Sequence, residues 1–385
     1  MNNRQVISIG IALFAMFFGA GNVVFPLDVG RIMGDKVYWA LFGLLISAII
    51  MPITGVFGAA VFDGDYHAFF RRIGTIPGEL LALLCMLVIG PFGAIPRTIT
   101  VAHGAFSWYF PVISLFAFSL VAAALILFLA LKEDKVIDVV GKILGPFKII
   151  LISAVIVSGF FVAPTMLHTN FLSMQSFLKG LREGYMTLDL LGAMFLAKLI
   201  WKSIDRSAGE SSRSLLIGLM KGGVVGGFLL GIIYVGFMLV GAFHGIQISQ
   251  EVGRQQFIYA LADFLMGRFG VVSSFTVALA CLVTAIALTA IFADYVRNII
   301  LQVFGEKISY KSAVFGSVLI TTIMANLGFE GIMNILAPIA IVCYPAIIVL
   351  TLCNIAYKTV GFKLVKAPFY ATLLISIVIK YLGIM

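Results

Sequence analysis

Apolar runs of about 20 residues, the length that crosses roughly 30 Å of hydrocarbon, recur along the whole of this chain with no long polar segment between them. A sequence built this way has no room for a soluble domain and folds as an all-α integral membrane protein. The spans are read as residues 6–30, 37–61, 79–102, 111–131, 143–163, 185–201, 214–243, 271–297, 312–328, 334–357 and 366–384, about eleven (10 to 12 allowing for end errors). Composition agrees: 62% of the 385 residues are hydrophobic and only 11% charged. The first span is not a cleaved signal peptide, because no small-residue cleavage site follows it and the chain continues into "VVFPLDVGRIMG".

Of the 26 Lys and Arg, 18 fall on the side of the N-terminus and of the loops after the even-numbered spans. The positive-inside rule therefore places the N-terminus in the cytoplasm. The formal charge of +9 reads as topology and attraction to anionic lipid, not as a nucleic-acid surface. Cys85, Cys281, Cys343 and Cys353 all lie within spans and share no metal-ligand spacing, so they are expected to be packing residues. His67, His103, His168 and His244 are scattered over different span ends without the spacing of a metalloenzyme. Two amphipathic stretches, "LKEDKVIDVVGK" after span 4 and "QEVGRQQFIYALADFLMGRFG" before span 8, are expected to be surface helices, the second able to act as a lid.

Spans 1 and 6 each open a set of five. Because five is odd, the second set runs through the membrane in the opposite direction, which is an inverted repeat. Both leading spans are interrupted, span 1 by "GAGN" and Pro26, span 6 by Asp189 and Gly192, and span 6 is short. Unwinding a helix in hydrocarbon frees N–H and C=O groups that each cost several kcal/mol if unpaired. Freed amides at the start of a half-helix suit a carboxylate, and freed carbonyls at the end of one suit an ammonium group or a small cation. One zwitterionic amino acid and a coupling ion supply both.

Each feature has a plainer reading. Gly19, Ala20 and Gly21 alone make a small-residue packing seam, yet residues 6 to 18 already cover roughly 20 Å, which leaves the glycines inside the membrane beside a polar Asn22. Asp189 is an intramembrane carboxylate and suggests function, or else it caps its helix near the outer interface. Thr187, Thr284 and Thr289, taken singly, bond their own helix backbone. Asp294 and Arg297 make a local pair, and Lys148 snorkels to the interface.

The motifs "FFGAGNVVFP", "EGYMTLDLLGAMF" and "ACLVTAIALTA" together resemble the branched-chain amino acid:cation symporter family, carriers of leucine, isoleucine and valine in bacteria. The resemblance runs in span order over nearly the whole chain. It implies a LeuT-like fold of two inverted five-helix repeats (residues 1–165 and 184–357, with an additional span at 358–385), alternating access, and usually sodium as the driving ion. By the same resemblance Gly19, Ala20, Gly21 and Asn22 form the unwound stretch that meets the substrate's carboxylate and amine, with Thr187 and Asp189 on the facing part of span 6. A sodium site would lie between the carbonyls of Ala15 and Phe18 and the span 8 hydroxyls of Thr284 and Thr289.

One departure stands out: where the family has two adjacent hydroxyl residues in span 8, this chain has Val283-Thr284, and a valine side chain cannot ligate a cation. Lys148 of span 5 then becomes a candidate to replace the ion with its ammonium, which would make transport proton-coupled. The chain is also shorter than a twelve-span version of the family, through a missing terminal helix or two merged spans. The expected function is import of branched-chain or related hydrophobic amino acids by cation symport, with sodium or protons as coupling ion. No other cofactor and no obligate protein partner are expected. The place is the bacterial cytoplasmic membrane. A passive channel is the alternative of another class, disfavoured by the lack of a filter-like loop, and no paired catalytic constellation suggests an enzyme.

Overall fold

The computed structural model describes residues 3–131, 145–162, 166–196, 212–248 and 251–382. Within them the chain forms α1 (Asn3–Phe17), α2 (Ala20–Met33), α3 (Val37–Leu45), α4 (Met51–Ala60), α5 (Tyr66–Phe70), α6 (Thr75–Ile89), α7 (Ala94–Tyr109), α8 (Leu115–Ala130), α9 (Gly145–Phe161) and α10 (Ser173–Tyr185). After a break come helical residues 189–196, here α11. Then follow α12 (Ser212–His244), α13 (Phe257–Met266), α14 (Gly270–Phe304), α15 (Tyr310–Ala325), α16 (Gly328–Val360) and α17 (Lys366–Tyr381). A π-helical turn, Ile46–Ile50, joins α3 to α4. Among the described residues there is no strand. Five helical stretches are long and apolar enough to cross a membrane: Ala20–Ala60, Thr75–Tyr109, Leu216–His244, Phe257–Phe304 and Gly328–Val360.

The expected inverted symmetry is visible in how the helices pack. Both halves of the first broken span, α1 and α2, pack along α12; the first half of the second broken span, α10, packs along α3. Exchanging each span for its counterpart five positions away in the other repeat, span 1 for span 6 and span 7 for span 2, turns one contact into the other. Glycine makes both seams close. A side chain at Gly30 would strike the Met238 carbonyl and one at Gly241 the Leu27 carbonyl, while Gly43 and Gly180 abut the Phe177 and Ala40 carbonyls. A second group forms where α14 packs on α7, α8 and α15, and α15 packs on α8.

Several sequence expectations need correcting. Span 1 does not break across "GAGN" and Pro26; it breaks at Phe18–Gly19, so that Ala20, Gly21 and Asn22 are already the first turn of α2 and Pro26 lies within that helix. Span 6 is not a short run starting at residue 185: its first half is α10, whose buried face is Ser176, Gly180, Glu183, Gly184 and Tyr185. Such a face carries little hydropathy, so a window tuned to apolar runs reads it as a loop. Span 3 is broken too, at Gly90–Gly93 between α6 and α7. The stretch before span 8 is no surface helix, since Phe257 to Ala262 of α13 are all buried. The amphipathic segment 131–142 lies, apart from Leu131, outside the described residues.

The plainer readings of other residues hold. Asp294 and Arg297 form an exposed local pair at 3.3 Å, and all four cysteines are free. The histidines take separate partners: Glu79 for His67, the Ile113 carbonyl for His103, Asp35 for His168, and Gln247 with the Gly159 carbonyl for His244.

Candidate functional site

The two breaks meet. In span 1 the chain leaves α1 at Phe17, Phe18 donates its N–H back to the Phe14 carbonyl at 2.8 Å, and Gly19 turns into α2. The Gly19 N–H is taken by the Asn22 side chain, Oδ1 accepting at 2.9 Å, which caps the new helix from within its first turn. In span 6, α10 ends at Tyr185, and Leu188 adopts φ 64°. A leucine reaches that left-handed region at a cost of about 1–2 kcal/mol, so the break is held by its surroundings. Asp189 is the first residue of α11, and the Tyr344 hydroxyl accepts the Leu190 N–H at 3.0 Å just beyond it.

Side chains tie the breaks together. Asn22 Nδ2 donates to Asp189 Oδ2 at 2.6 Å and also to the Tyr234 hydroxyl. Tyr234 donates in turn to Asp189 Oδ2 at 3.0 Å. All three residues are buried, at 1%, 4% and 0% exposure, so the alternative in which Asp189 reaches the interface does not hold. The pair of donors satisfies one carboxylate oxygen of Asp189.

Between the breaks lies a small cavity. Gly19, Ala20, Asn22, Thr187, Asp189 and Thr284 line it, and so do the apolar side chains of Met16, Phe17, Ile89, Leu196 and Leu288. The lining thus combines polar groups with apolar side chains, the combination that an amino acid with a hydrocarbon side chain requires. Gly21 stands behind this lining: a Cβ there would come 2.6 Å from Arg97 Nη2.

The hydroxyls are engaged locally. Thr187 donates to the Gly184 carbonyl at 2.8 Å, Thr284 to the Ala280 carbonyl at 3.0 Å and Thr289 to the Ala285 carbonyl at 2.8 Å. Ala15 and Thr289 are buried outside the cavity lining. Phe18 instead lines a neighbouring apolar pocket with Ile152, Val277 and Ala280. Lys148 falls within α9, one turn before Ile152, but its side chain lies outside the described residues.

Sequence reasoning missed Arg97. Near the expected end of a span running to residue 102 it reads as an interfacial charge, yet it is 3% exposed and lines the same cavity. The Gly90–Gly93 break sets it near the start of α7, where its guanidinium donates to the Met186 and Thr187 carbonyls freed at the end of α10. A signal was available: "GPFGAIPRTIT" joins a glycine-proline interruption to polar Arg and two Thr, as "GAGN" joins glycines to Asn22 ahead of Pro26 in span 1.

The stretch expected to act as a lid is fastened by charged groups to both broken spans. Asp28 on α2 meets Arg31 at 2.7 Å and Arg254 at 3.2 Å; Glu183 on α10 meets Lys179 at 2.7 Å and Arg254 at 3.7 Å. Arg31 also donates to the Val252 carbonyl and packs over Phe257 of α13. Tyr259 donates to the Val101 carbonyl, which fastens α13 to α7.

Paired helix breaks facing one cavity inside an inverted repeat define a multi-pass membrane transporter of the LeuT-like architecture. The fold is that of Mhp1, a nucleobase-cation-symport-1 family transporter: TM-score 0.63 to its inward-facing form, covering 97% of this chain and 89% of that one at 12% identity. A mutant of the Eremococcus coleocola manganese transporter superposes with TM-score 0.60 over 98% of this chain and 86% of that one at 14% identity. The chain belongs to the branched-chain amino acid transport protein family, whose profile matches residues 2–384. It is 32% identical to the branched-chain amino acid transport system 3 carrier protein of Pseudomonas aeruginosa, over 91% of this chain and 80% of that one. It is 29% identical to the branched-chain amino acid permease BrnQ of Escherichia coli K12, over 98% and 86%. These relatives are permeases and carriers, which sets the chain among transporters and apart from enzymes.

Proposed function

We propose that the protein is a secondary active transporter that imports leucine, isoleucine, valine or a related hydrophobic amino acid by symport with a cation. The observation that carries this reading is the cavity between the two breaks, lined by polar groups of both breaks together with apolar side chains. The Asp189 carboxylate receives the substrate ammonium, the first-turn amides of α2 at Ala20 and Gly21 receive its carboxylate, and Met16, Ile89 and Leu288 surround its side chain. An apolar pocket discriminates one methylene by only about 1–3 kcal/mol, so the three branched-chain amino acids compete. Residues 1–165 act as the first repeat and, with α10 as the first half of span 6, the second repeat begins at residue 173 instead of 184 and runs to 357; 358–385 is an added span, and the N-terminus faces the cytoplasm of a bacterial cell.

Sodium is the coupling ion in the first version of this reading, held by the Ala15 and Phe18 carbonyls and the Thr284 hydroxyl, with Thr289 a turn beyond. Thr284 donates its proton to its own helix and so keeps its oxygen lone pairs for a cation. A second version couples to protons. It is favoured by Val283, which offers no ligand, and by the apolar pocket beside Phe18, whose wall includes Ile152 one turn from Lys148.

The test is leucine accumulation in proteoliposomes with sodium and pH gradients imposed separately. Uptake driven only by sodium supports the first version, and uptake driven only by pH the second. Accumulation under neither gradient refutes secondary transport. Gly21→Leu, which drives a side chain into Arg97, is expected to abolish leucine binding without preventing membrane insertion.

A further inference from the structure

The cavity is lined by one buried cation as well as one buried anion, and the two do not pair. Arg97 is held by two carbonyls, Met186 at 2.5 Å and Thr187 at a long 3.4 Å. Its Nε is buried with no hydrogen-bond partner. Among the described residues no carboxylate forms an ion pair with its guanidinium, although Asp189 lines the same space. Asp189 takes the hydrogen bonds from Asn22 and Tyr234 on Oδ2, and Thr187 also bonds its carboxylate. A guanidinium out of water with an orphan donor is costly unless an anion completes it, and its planar fork suits a carboxylate in bidentate contact. Gly21 permits the approach: a Cβ at that position would sit 2.6 Å from Nη2, so the guanidinium lies against the first turn of α2. The guanidinium therefore lies between the first turn of α2 and the end of α10, and Asp189, the first residue of α11, bonds Asn22 of that same turn.

We propose that Arg97 is the substrate-carboxylate anchor, so that the zwitterion lies between Arg97 on α7 and Asp189 on α11. This rests on the transport reading above and deepens it, because an α-amino acid is the ligand class whose two charges match a guanidinium and a carboxylate that line one small cavity without forming an ion pair. In the absence of substrate the Met186 and Thr187 carbonyls hold the guanidinium in place. Bound substrate takes Nε and one Nη N–H, and Arg97 then links the span 6 break to the ligand. A ligand lacking the carboxylate leaves Arg97 as it stands and gains nothing from it.

The experiment is equilibrium binding to purified full-length protein in detergent, with leucine and leucinol as probes. Leucinol keeps the ammonium and side chain but replaces the carboxylate with a hydroxymethyl group. Wild-type protein is expected to bind leucinol at least about 30-fold more weakly than leucine, and equal binding overturns the proposal. Arg97→Gln is expected to weaken leucine about 30-fold while leaving leucinol within about threefold, so that the preference collapses. An equal loss for both probes means that Arg97 serves only to cap α10, and that result overturns the assignment. Arg97→Lys keeps the charge without the fork and is expected to retain a reduced preference. Should the glutamine variant not fold, the lysine variant decides, because an unchanged leucine-to-leucinol ratio in it overturns the proposal. If wild-type protein binds none of leucine, isoleucine and valine, the transport reading itself fails and this one falls with it.

Discussion

The Asp189 carboxylate gives the sharpest test of how the breaks hold an amino acid. Asp189→Asn is nearly isosteric and retains an oxygen able to accept from Asn22, at 2.6 Å in the native protein, and from Tyr234, at 3.0 Å. The ties between spans 1, 6 and 7 should therefore survive, and the variant should melt within a few degrees of wild type. What disappears is the negative charge offered to an ammonium group. A hydrogen bond to a charged partner contributes about 1.5–3 kcal/mol, which at about 1.4 kcal/mol per decade predicts leucine binding weakened about 10- to 150-fold. Tyr234→Phe removes one neutral donor from the same oxygen, worth about 1 kcal/mol, and should weaken binding about fivefold. The assay is equilibrium binding of radiolabelled leucine to detergent-purified protein, with melting curves as the folding control. Asp189→Asn protein that folds and binds leucine within twofold of wild type would refute the assignment of Asp189 to the ammonium, and a Tyr234→Phe effect exceeding that of Asp189→Asn would show that the contact is structural.

The remaining expectations concern packing, the lid and pH. Gly180→Ala forces a methyl group into the Ala40 carbonyl and should destabilise the protein by about 3 kcal/mol, whereas Gly316→Ala, with nothing within 4 Å of its new methyl group, should be neutral or slightly stabilising; thermal melts of the pair check this. Arg254→Gln removes the residue that joins Asp28 to Glu183 and is expected to speed leucine dissociation about tenfold in a chase experiment; a wild-type rate would show that the lid does not retain substrate. In the turn after α2, Asp35 is held down to about 2: burial pushes its carboxyl up, but the Thr169 N–H and hydroxyl, His168 and Lys36 outweigh that. A depressed carboxylate stabilises the fold above its unfolded pKa and loses that stabilisation as pH falls through the folded value, so the melting difference between wild type and Asp35→Asn should stay constant from pH 8 to 5 and shrink as pH falls from about 4 toward 2.

What the sequence disclosed and what it concealed divide along one physical line. Apolar length is written locally, so the span centres, the five-span spacing and the two leading interruptions can be read from single stretches such as "GAGN" and "TLDLLGA". Where a helix breaks depends on which neighbour satisfies the freed groups, and those neighbours are remote. The span 1 break sits at Phe18–Gly19 because the Asn22 side chain caps the helix three residues on, and Leu188 holds its φ because Arg97, 90 residues away in sequence, takes the carbonyls beside it. α10 escaped for a related reason: its Glu183 meets Arg254, its Gly180 meets α3 and its Gly184 meets the π-helical turn beyond, so its burial follows from partners and not from its own hydropathy. Arg97 was hidden by the same rule that revealed the topology, since a positive charge near a span end normally belongs to the interface.

The distribution of polar groups around the cavity bears on how transport would proceed. Asn22, Asp189 and Tyr234 bond one another; Asn22 and Tyr234 belong to α2 and α12, whose backbones a glycine seam brings into contact, and Asp189 opens α11, the second half of the span that begins with α10. Arg97 and Thr284 belong to α7 and α14, which pack on each other in the second group. The cavity therefore lies on the seam between two groups, each closely packed within itself. Across that seam the guanidinium reaches carbonyls of the span 6 break through one short and one long hydrogen bond. Alternating access by rocking one group against the other changes the distances across the seam and leaves those within each group intact. A zwitterion bound between Asp189 and Arg97 would add two charge-assisted contacts spanning the two groups, whereas an apolar molecule of the same shape would add none. Closure of the seam would then depend on both charges of the ligand, which would make a leucine analogue lacking either one a poor substrate even where it fits the apolar wall.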